Sequence, residues 1–298
     1  MLGLVLGLAA CQQGLRDANQ TELLWPDGAP RARGKLGADR PMLYWCLPPP
    51  EKRTGLAAVV AAGGSYGHQL GLGTEGVETA RWLASQGITA VIVRYRVHNL
   101  RDYDHADFLA DGKRAVRTLR ARADALGVDP ERIGMFGFSA GGHLASSVAI
   151  HCAQDEGRAD TTDEIERASC RIAFAVMVYP VITLDDRWAH RRSRRNMLGG
   201  IGPTSPALRR SLSTDTQVTP TTAPGFLVHS TRDHKVPFQN SVLYHDALVR
   251  NKVPSELWIF DDGGHGVGLA RDESGHMPMM STWPQRCLKW ILAATRRP

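Results

Sequence analysis

Residues 132–143 read RIGMFGFSAGGH. The first half of this stretch is a short apolar run, the middle is a glycine-rich turn, and the end can begin a helix. Residues 137–141 match the pattern Gly-x-Ser-x-Gly, in which small flanking residues let the backbone turn sharply and present the serine hydroxyl above a sheet edge. Ser139 would then stand at a helix N-terminus, where free N–H groups favour a developing negative charge. The plainer interpretation is that Ser139 only caps the helix. Residues elsewhere in the chain must therefore distinguish a nucleophile from a cap.

The composition is that of an ordinary folded protein. The chain has 298 residues, of which 43% are hydrophobic and 22% are charged. Stretches typical of strands and helices alternate along it, which predicts a single α/β domain over residues 21–298. The formal net charge is +6, with the densest basic run between Arg187 and Arg195. Because no nucleic-acid motif accompanies these charges, and a basic run is usually a solvated face, a nucleic acid is not an expected partner.

The N-terminus carries a short apolar segment. Residues 1–11 read MLGLVLGLAAC, and the ending Leu-Ala-Ala-Cys resembles a bacterial lipoprotein cleavage box with Cys11 as the lipidated residue. Residues 1–20 are therefore interpreted as a signal segment and tether, which predicts an exported protein, periplasmic or anchored to a membrane by lipid. The basic residues that open a signal peptide are missing, so either the true start lies upstream or the run is the buried first segment of a cytoplasmic protein.

The cysteines fit either compartment. The chain has five, and if Cys11 is lipidated four remain. Cys152 and Cys170 flank a polar connection and can pair in an exported protein. No group of Cys and His residues has the spacing of a metal site, and neither a metal nor another cofactor is expected.

A second glycine-rich stretch follows an earlier strand. Residues 56–61 form a continuous apolar run, as in a sheet covered on both faces, and residues 62–68 then read AGGSYGH. The N–H groups of such a loop can face a ligand. We predict that Gly64 or Ser65 supplies one donor of an oxyanion hole and that the N–H of Ala140 supplies the other. Taken alone, the loop is more typical of a plain tight turn.

Two polar residues follow later strands. Asp233 comes soon after the apolar run 225–230, and His265 lies between glycines in the loop after residues 256–260. Because ligands gather at the carboxyl ends of parallel strands, we expect both side chains near Ser139. In the order Ser, Asp, His, the serine is the nucleophile, the histidine is the general base, and the aspartate orients the imidazole.

Other acids and histidines compete for these roles. Asp261 and Asp262 are only a few residues from His265 and are interpreted as loop formers. Three further histidines are interpreted as structural or pocket-wall residues: His68, His143 and His229.

Three regions complete the prediction. Residues 21–40 are rich in Gly, Pro, Arg and Asp and are expected to form an extended lead-in. Residues 75–86 have the apolar spacing of a helix. Residues 183–224 are long, lack clear periodicity and are rich in Arg, Ser, Thr and Pro. Long loops in compact domains are usually functional or disordered, and we predict a cap-like insertion here.

These motifs together resemble a known group of enzymes, the esterase and lipase family of α/β-hydrolases, in the branch of acetylxylan esterases and feruloyl-esterase-like enzymes. The resemblance is carried by the Gly-Gly-Ser-Tyr loop, residues 94–96, 137–143, 236–237 and 263–266, and by a cap-loop pattern formed by His190 and residues 193–194 and 196–199. Two positions depart from the branch: Ser65 stands where a third glycine is common, and Arg192 replaces a usually small residue.

The resemblance implies the α/β-hydrolase fold, with a mostly parallel central sheet and helices on both faces. It also implies a serine carboxylesterase that removes small acyl groups, often acetyl, from carbohydrate such as xylan. The alternatives are a peptidase or amidase on the same fold, or a general short-chain carboxylesterase, since esters and amides pass through the same kind of intermediate. A binding protein without catalysis is disfavoured by the intact set Ser139, Asp233 and His265.

Overall fold

The computed structural model describes residues 20–98, 102–199, 205–272 and 274–296. The interpretation of the first residues as a signal segment and tether, with Cys11 as a lipid site, therefore lies outside the described residues. Within the described ranges, no helix combines the length and the apolar character needed to cross a bilayer.

Eight strands form one sheet in the order β1-β2-β4-β3-β5-β6-β7-β8. Their bounds are β1 Gln20–Leu23, β2 Met42–Cys46, β3 Ala57–Ala61, β4 Thr89–Arg94, β5 Ile133–Phe138, β6 Phe174–Val178, β7 Gly225–Ser230 and β8 Ser255–Phe260. The β1–β2 and β2–β4 pairs are antiparallel, and the remaining pairs are parallel. The mostly parallel sheet is as predicted.

Helices pack on both faces of this sheet. In the described part of the chain they are α1 Glu78–Ser85, α2 His105–Ala121, α3 Ala123–Leu126, α4 Ala140–His151, α5 Glu164–Arg167, α6 Arg191–Met197, α7 Pro206–Leu212, α8 Gln239–Arg250 and α9 Trp283–Ala294. Short 3-10 turns occur at Gly37–Asp39, Pro50–Lys52, Leu70–Leu72, Thr214–Thr216 and Met280–Thr282, and a wider turn at Gly73–Val77 leads into α1.

The core lies in two layers, one on each face of the sheet. Successive residues of β3 enter opposite layers: Val59 packs with residues of α2 and α4, whereas Val60 packs with residues of α1 and α9. Both valines are fully buried, and full burial of such a side chain is worth about 1.5–3 kcal/mol. A strand buried on both faces explains why the sequence here is a continuous apolar run.

Two predicted regions differ in detail. The expected extended lead-in contains strand β1, which pairs with β2 at the edge of the sheet. The sequence of β1, Gln-Thr-Glu-Leu, contains only one apolar residue and so shows no alternation of apolar and polar residues. The helix expected over residues 75–86 begins with the wide turn Gly73–Val77 and becomes regular only at Glu78. Glu75 therefore lies in that turn.

A disulfide joins Cys152, just after α4, to Cys170, just before β6. The two cysteines enclose the loop that carries α5. That loop is also held to α2 by ion pairs of Arg114 with Asp163 and of Arg117 with Asp155. The pairing considered from the sequence is thus present, and it closes a polar connection next to the helix that follows Ser139.

Candidate active site

Ser139 lies in the turn between β5 and α4, with φ 53° and ψ −117°. This is a strained conformation for a residue with a side chain, and such strain concentrates at functional sites. Glycines make the turn possible, because a Cβ at Gly137 would collide with the backbone of Gly141, and a Cβ at Gly141 with the carbonyl oxygen of Ala61. The hydroxyl of Ser139 makes no capping hydrogen bond, so the simple helix-cap interpretation does not hold.

The three residues expected to meet do lie together. Nε2 of His265 is 2.9 Å from Oγ of Ser139, and Nδ1 of His265 is 2.6 Å from Oδ2 of Asp233. An ionised carboxylate can only accept a hydrogen bond, so Nδ1 carries the imidazole proton. Nε2 is then free to accept the hydrogen of the Ser139 hydroxyl. This is the hydrogen-bond pattern that a serine nucleophile and its base require.

Asp233 is held in place largely by the backbone. Its Oδ1 accepts hydrogen bonds from the N–H groups of Lys235 and Val236, at 2.8 and 2.9 Å. Nε2 of His229 lies 3.2 Å from Oδ2. Burial alone would raise the pKa of Asp233, but the hydrogen bonds from His229, His265 and Val236 hold the pKa well below its usual range. Asp233 is therefore a carboxylate at neutral pH, beside the ring of His265.

The loop that carries two of the predicted oxyanion donors lies against the serine. A Cβ at Gly63, the residue before the first predicted donor, would stand 2.8 Å from Cβ of Ser139. Among the hydrogen bonds of the described residues, none uses the N–H of Gly64, Ser65 or Ala140. The N–H of Gly63, by contrast, is taken up by a buried glutamate. The three amides thus have no protein partner among the described residues, and their role as oxyanion donors stays a prediction.

Two of the residues that competed for catalytic roles have other partners. Asp262 accepts hydrogen bonds from the N–H groups of Met279 and Met280, at 2.7 and 2.9 Å, and so fixes a loop. His143 is buried in α4, where Nε2 donates to the carbonyl oxygen of Leu212 at 2.7 Å and Nδ1 accepts from the Tyr66 hydroxyl at 3.0 Å. Burial lowers the pKa of His143 to about 4, so its ring is neutral at pH 7.

The 183–224 segment, described over residues 183–199 and 205–224, touches the loop that carries the predicted donors. Nδ2 of Asn196 donates to the carbonyl oxygen of Ser65 at 2.8 Å. Nη2 of Arg192 lies 2.6 Å from Nε2 of His68. Ser65 itself has φ 58°, a left-handed conformation that a glycine would adopt more easily. Helix α6 therefore borders the candidate site at the position where the sequence departs from the resemblance.

Sequence reasoning missed two buried polar residues beside the site. Glu75 accepts the N–H of Gly63 at 2.6 Å and the hydroxyl of Tyr179 at 3.0 Å. The ring of Tyr179 lies 4.8 Å from that of His265, measured between centroids. The sequence does hold a signal for each. Tyr179 is the last residue of the apolar run that contains β6, and Glu75 is the only acid in the stretch 71–76, which reads GLGTEG.

Comparison with known proteins places this site in a family. The model of the BD-FAE family matches residues 45–248, more than half of the chain. The chain belongs to the BD-FAE family. The acetylxylan esterase of Xylanibacter ruminicola is 32% identical over 222 residues, which cover 74% of this chain and 42% of that protein. The endo-1,4-beta-xylanase B of Butyrivibrio fibrisolvens is 34% identical over 200 residues, covering 67% and 31% respectively. The BD-FAE chain thus spans less than half the length of these two curated relatives.

Solved structures agree with this assignment. An acetyl ester-xyloside bifunctional hydrolase from Caldicellulosiruptor lactoaceticus is 37% identical, with a TM-score of 0.80 over 92% of this chain and 96% of that one. A thermophilic esterase from Thermogutta terrifontis is 23% identical, with a TM-score of 0.70 over 95% and 97%, and shares the fold. The predicted fold and the predicted resemblance to the esterase branch of the α/β-hydrolases are confirmed.

Proposed function

We propose that this BD-FAE chain is a serine carboxylic ester hydrolase that removes small acyl groups, above all acetyl, from carbohydrate such as xylan. The observation that carries the proposal is the continuous hydrogen-bond chain from Oγ of Ser139 through His265 to Asp233, with lengths of 2.9 and 2.6 Å. Relatives named for acetylxylan esterase and acetyl ester-xyloside hydrolase activities support the substrate class.

In the first half of the reaction, Oγ of Ser139 attacks the ester carbonyl carbon while its proton moves to Nε2 of His265. The carbonyl oxygen becomes an oxyanion, which the N–H of Ala140 and that of Gly64 or Ser65 stabilise, with about 3 kcal/mol expected for one such donor. The bond to the leaving alcohol then breaks, and the alcohol oxygen takes the proton from Nε2. The acyl group remains on Ser139.

In the second half, water takes the place of the alcohol. The water oxygen attacks the acyl carbon while Nε2 of His265 accepts a proton from the water. Nε2 then returns the proton to Oγ of Ser139 as the carboxylic acid product leaves. Asp233 stays ionised throughout because its pKa lies well below neutrality. Its charge holds the imidazole in the required tautomer and stabilises the imidazolium of both half-reactions.

The test is hydrolysis of p-nitrophenyl esters from acetate to octanoate, and of acetylated xylan, by the wild type and by Ser139→Ala. We expect fast acetate turnover that falls with acyl length, acetate release from xylan, and loss of both in Ser139→Ala. Matched p-nitroanilides form the amide arm. Turnover of anilides without turnover of esters would replace the proposal by an amidase, and turnover of the simple esters but not of xylan would leave a general short-chain carboxylesterase.

We also propose that the protein works outside the cytoplasm and that Cys11 carries a lipid. The disulfide between Cys152 and Cys170 supports this location, since such bonds persist in oxidising compartments. Fractionation of cells that express the full chain and its Cys11→Ala variant tests both parts. Recovery of the wild type in the cytoplasm with free thiols at both cysteines would overturn the location.

A further inference from the structure

Glu75 is a buried acid that the proposed reaction leaves without a role. Its residue is 5% exposed, and burial raises the pKa of its carboxyl group. Among the residues that the structure describes, no arginine, lysine or histidine forms an ion pair with it. Burying a carboxyl group costs free energy unless its oxygens are hydrogen-bonded. The hydrogen-bond partners of Glu75 therefore indicate its role.

Both oxygens of Glu75 accept hydrogen bonds, from two different loops. Oε2 accepts the N–H of Gly63 at 2.6 Å, and Oε1 accepts the hydroxyl of Tyr179 at 3.0 Å. The Tyr179 oxygen in turn accepts the N–H of Gly268 at 2.9 Å. Backbone N–H groups only donate, so the Tyr179 oxygen accepts from Gly268 and the Tyr179 hydroxyl hydrogen is left to donate to Oε1 of Glu75.

The two ends of this hydrogen-bond chain lie in two different loops, and each loop reaches Ser139. Gly63 directly precedes the predicted oxyanion donors and lies against Ser139. Gly268 is in the loop that carries His265, and its carbonyl oxygen accepts the indole N–H of Trp283 at 3.2 Å. Glu75 and Tyr179 therefore connect the loop that would bind the oxyanion to the loop that holds the base.

Tyr179 adds a second contact to this connection. Its ring is fully buried and lies 4.8 Å from the His265 ring, tilted by 51°. Its own backbone has φ 38°, a sparsely populated conformation for a non-glycine residue. The backbone strain is thus located at the residue whose ring supports the catalytic imidazole.

We infer that Glu75 and Tyr179 are a positioning pair that sets the distance between the oxyanion donors and His265 around Ser139. The inference rests on the proposed function of Ser139 as the nucleophile. Catalysis by positioned groups is sensitive to small displacements, and a shift of about 1 Å can cost on the order of 100-fold in rate. Loosening the pair should therefore lower the rate of the chemical step more than the affinity for the ester.

The variants are Glu75→Ala, Glu75→Gln and Tyr179→Phe. We expect kcat for p-nitrophenyl acetate to fall about 10- to 100-fold in Glu75→Ala, with KM within about threefold of the wild type. Glu75→Gln keeps one acceptor oxygen but turns an NH₂ group toward the other donor, so its kcat should lie between those of Glu75→Ala and the wild type. Tyr179→Phe keeps the ring against His265 and loses the hydroxyl, for which about a 3- to 10-fold loss of kcat is expected.

A second readout does not depend on turnover. A fluorophosphonate probe reacts at Oγ of Ser139 with loss of fluoride, and its second-order rate of labelling should fall in step with kcat in the three variants. Tyr244→Phe is the matched control, because Tyr244 is fully buried and its hydroxyl has no hydrogen-bond partner among the described residues. Asp111→Asn is the control for lost stability, since Asp111 is a buried acid paired with Arg96 away from the serine.

The outcomes separate the two claims. Wild-type protein that is neither labelled nor active in a Ser139-dependent way would overturn the proposed function and the inference with it. Wild type that is labelled, with Glu75→Gln and Tyr179→Phe folded and labelled at the wild-type rate, would overturn the positioning pair alone. The positioning pair would also be overturned if Asp111→Asn, at equal loss of melting temperature, lost as much kcat as the Glu75 variants.

Discussion

The carboxyl edge of the sheet and the 183–224 segment border the same site but are held in different ways. At the sheet edge, Ser139 donates its N–H to the carbonyl oxygen of Val178 and Asp233 accepts two backbone N–H groups. In the 183–224 segment, Asp186 joins Arg194 and Arg209 through side-chain ion pairs, and the Asp186 side chain is 68% exposed.

This difference sets what each region can contribute. Groups fixed by backbone hydrogen bonds and burial keep their geometry to a fraction of an ångström, which is what a reaction centre requires. Exposed ion pairs contribute about 0–1 kcal/mol each and are screened by salt. We therefore expect changes at the sheet edge to affect the rate of the chemical step strongly, and changes on the surface of the segment to affect substrate preference mildly.

The largest effect is expected from Asp233→Asn. The amide oxygen would keep the bonds from Lys235 and Val236, which turns the NH₂ group toward Nδ1 of His265. The imidazole must then hold its proton on Nε2, where it cannot accept the serine hydrogen. We expect kcat for p-nitrophenyl acetate to fall by about 10³- to 10⁴-fold.

Asp262→Asn is the control for that measurement. Of the two acids that competed with Asp233 to orient the imidazole, Asp262 is the nearer to His265 in the sequence. Its carboxylate bonds the N–H groups of Met279 and Met280 instead of the imidazole. We expect a lower melting temperature with kcat retained within a few-fold. Equal losses of kcat in the two variants would show that the sheet edge does not hold the acid.

The second effect concerns the place where the two regions meet. His143 of α4 donates to the carbonyl oxygen of Leu212 in the 183–224 segment. Its folded pKa is about 4 against an ordinary 6.5, so the folded state favours the neutral ring. The contribution of neutral His143 to the free energy of unfolding is complete above pH 6.5 and is lost as the pH falls toward 4. The loss should reach about 3 kcal/mol.

Urea unfolding of the wild type and of His143→Gln, at pH 7 and at pH 4, isolates this contribution. The wild type should lose more stability between the two pH values than the variant, by up to about 3 kcal/mol. The reason is that burial disfavours the charged ring, and protonation also ends the acceptance by Nδ1 of the Tyr66 hydroxyl hydrogen. Identical pH dependence in both proteins would mean that this junction does not respond to acid.

The third effect tests how tightly the sheet edge is packed. A Cβ at Gly63 would lie 2.8 Å from Cβ of Ser139 and 3.0 Å from Oε2 of Glu75. Gly63→Ala should therefore displace loop 62–68, which carries two of the predicted oxyanion donors, and lower kcat about 10- to 100-fold. Gly73→Ala is the control, because a Cβ there meets no described atom within 4 Å. Wild-type kcat in Gly63→Ala would show that this edge tolerates movement.

The same contrast explains what the sequence could and could not reveal. Ser139, Asp233 and His265 follow apolar strands at fixed points of the topology, so pattern and chain order predict them together. The Glu75–Tyr179 contact joins residues 104 positions apart, and nothing in the local sequence of either residue specifies the other. Such a contact depends on how β6 packs beside loop 62–68, and that packing is determined only when the whole sheet is assembled.

Helix α6 shows the same limit at the surface. Basic residues there could be counted from the sequence, but the count does not say which of them reaches the site. Arg191 and Arg192 are adjacent in α6 and both are exposed. Nη2 of Arg192 lies 2.6 Å from Nε2 of His68 in loop 62–68. The side-chain direction, set by the helix start, makes that distinction.

The smallest effect is expected from these two arginines. An exposed guanidinium acts on a charged substrate through a screened field worth about 1 kcal/mol or less. Arg192→Gln should raise KM about 2- to 5-fold for an acetyl ester of a uronic acid, leave p-nitrophenyl acetate unchanged, and lose its effect in about 0.5 M salt, where the Debye length is about 4 Å. Arg191→Gln should change neither substrate. If Arg192→Gln instead lowered kcat for the neutral ester as far as Gly63→Ala does, α6 would belong to the reaction centre, and the division between a fixed edge and an adjustable segment would be wrong.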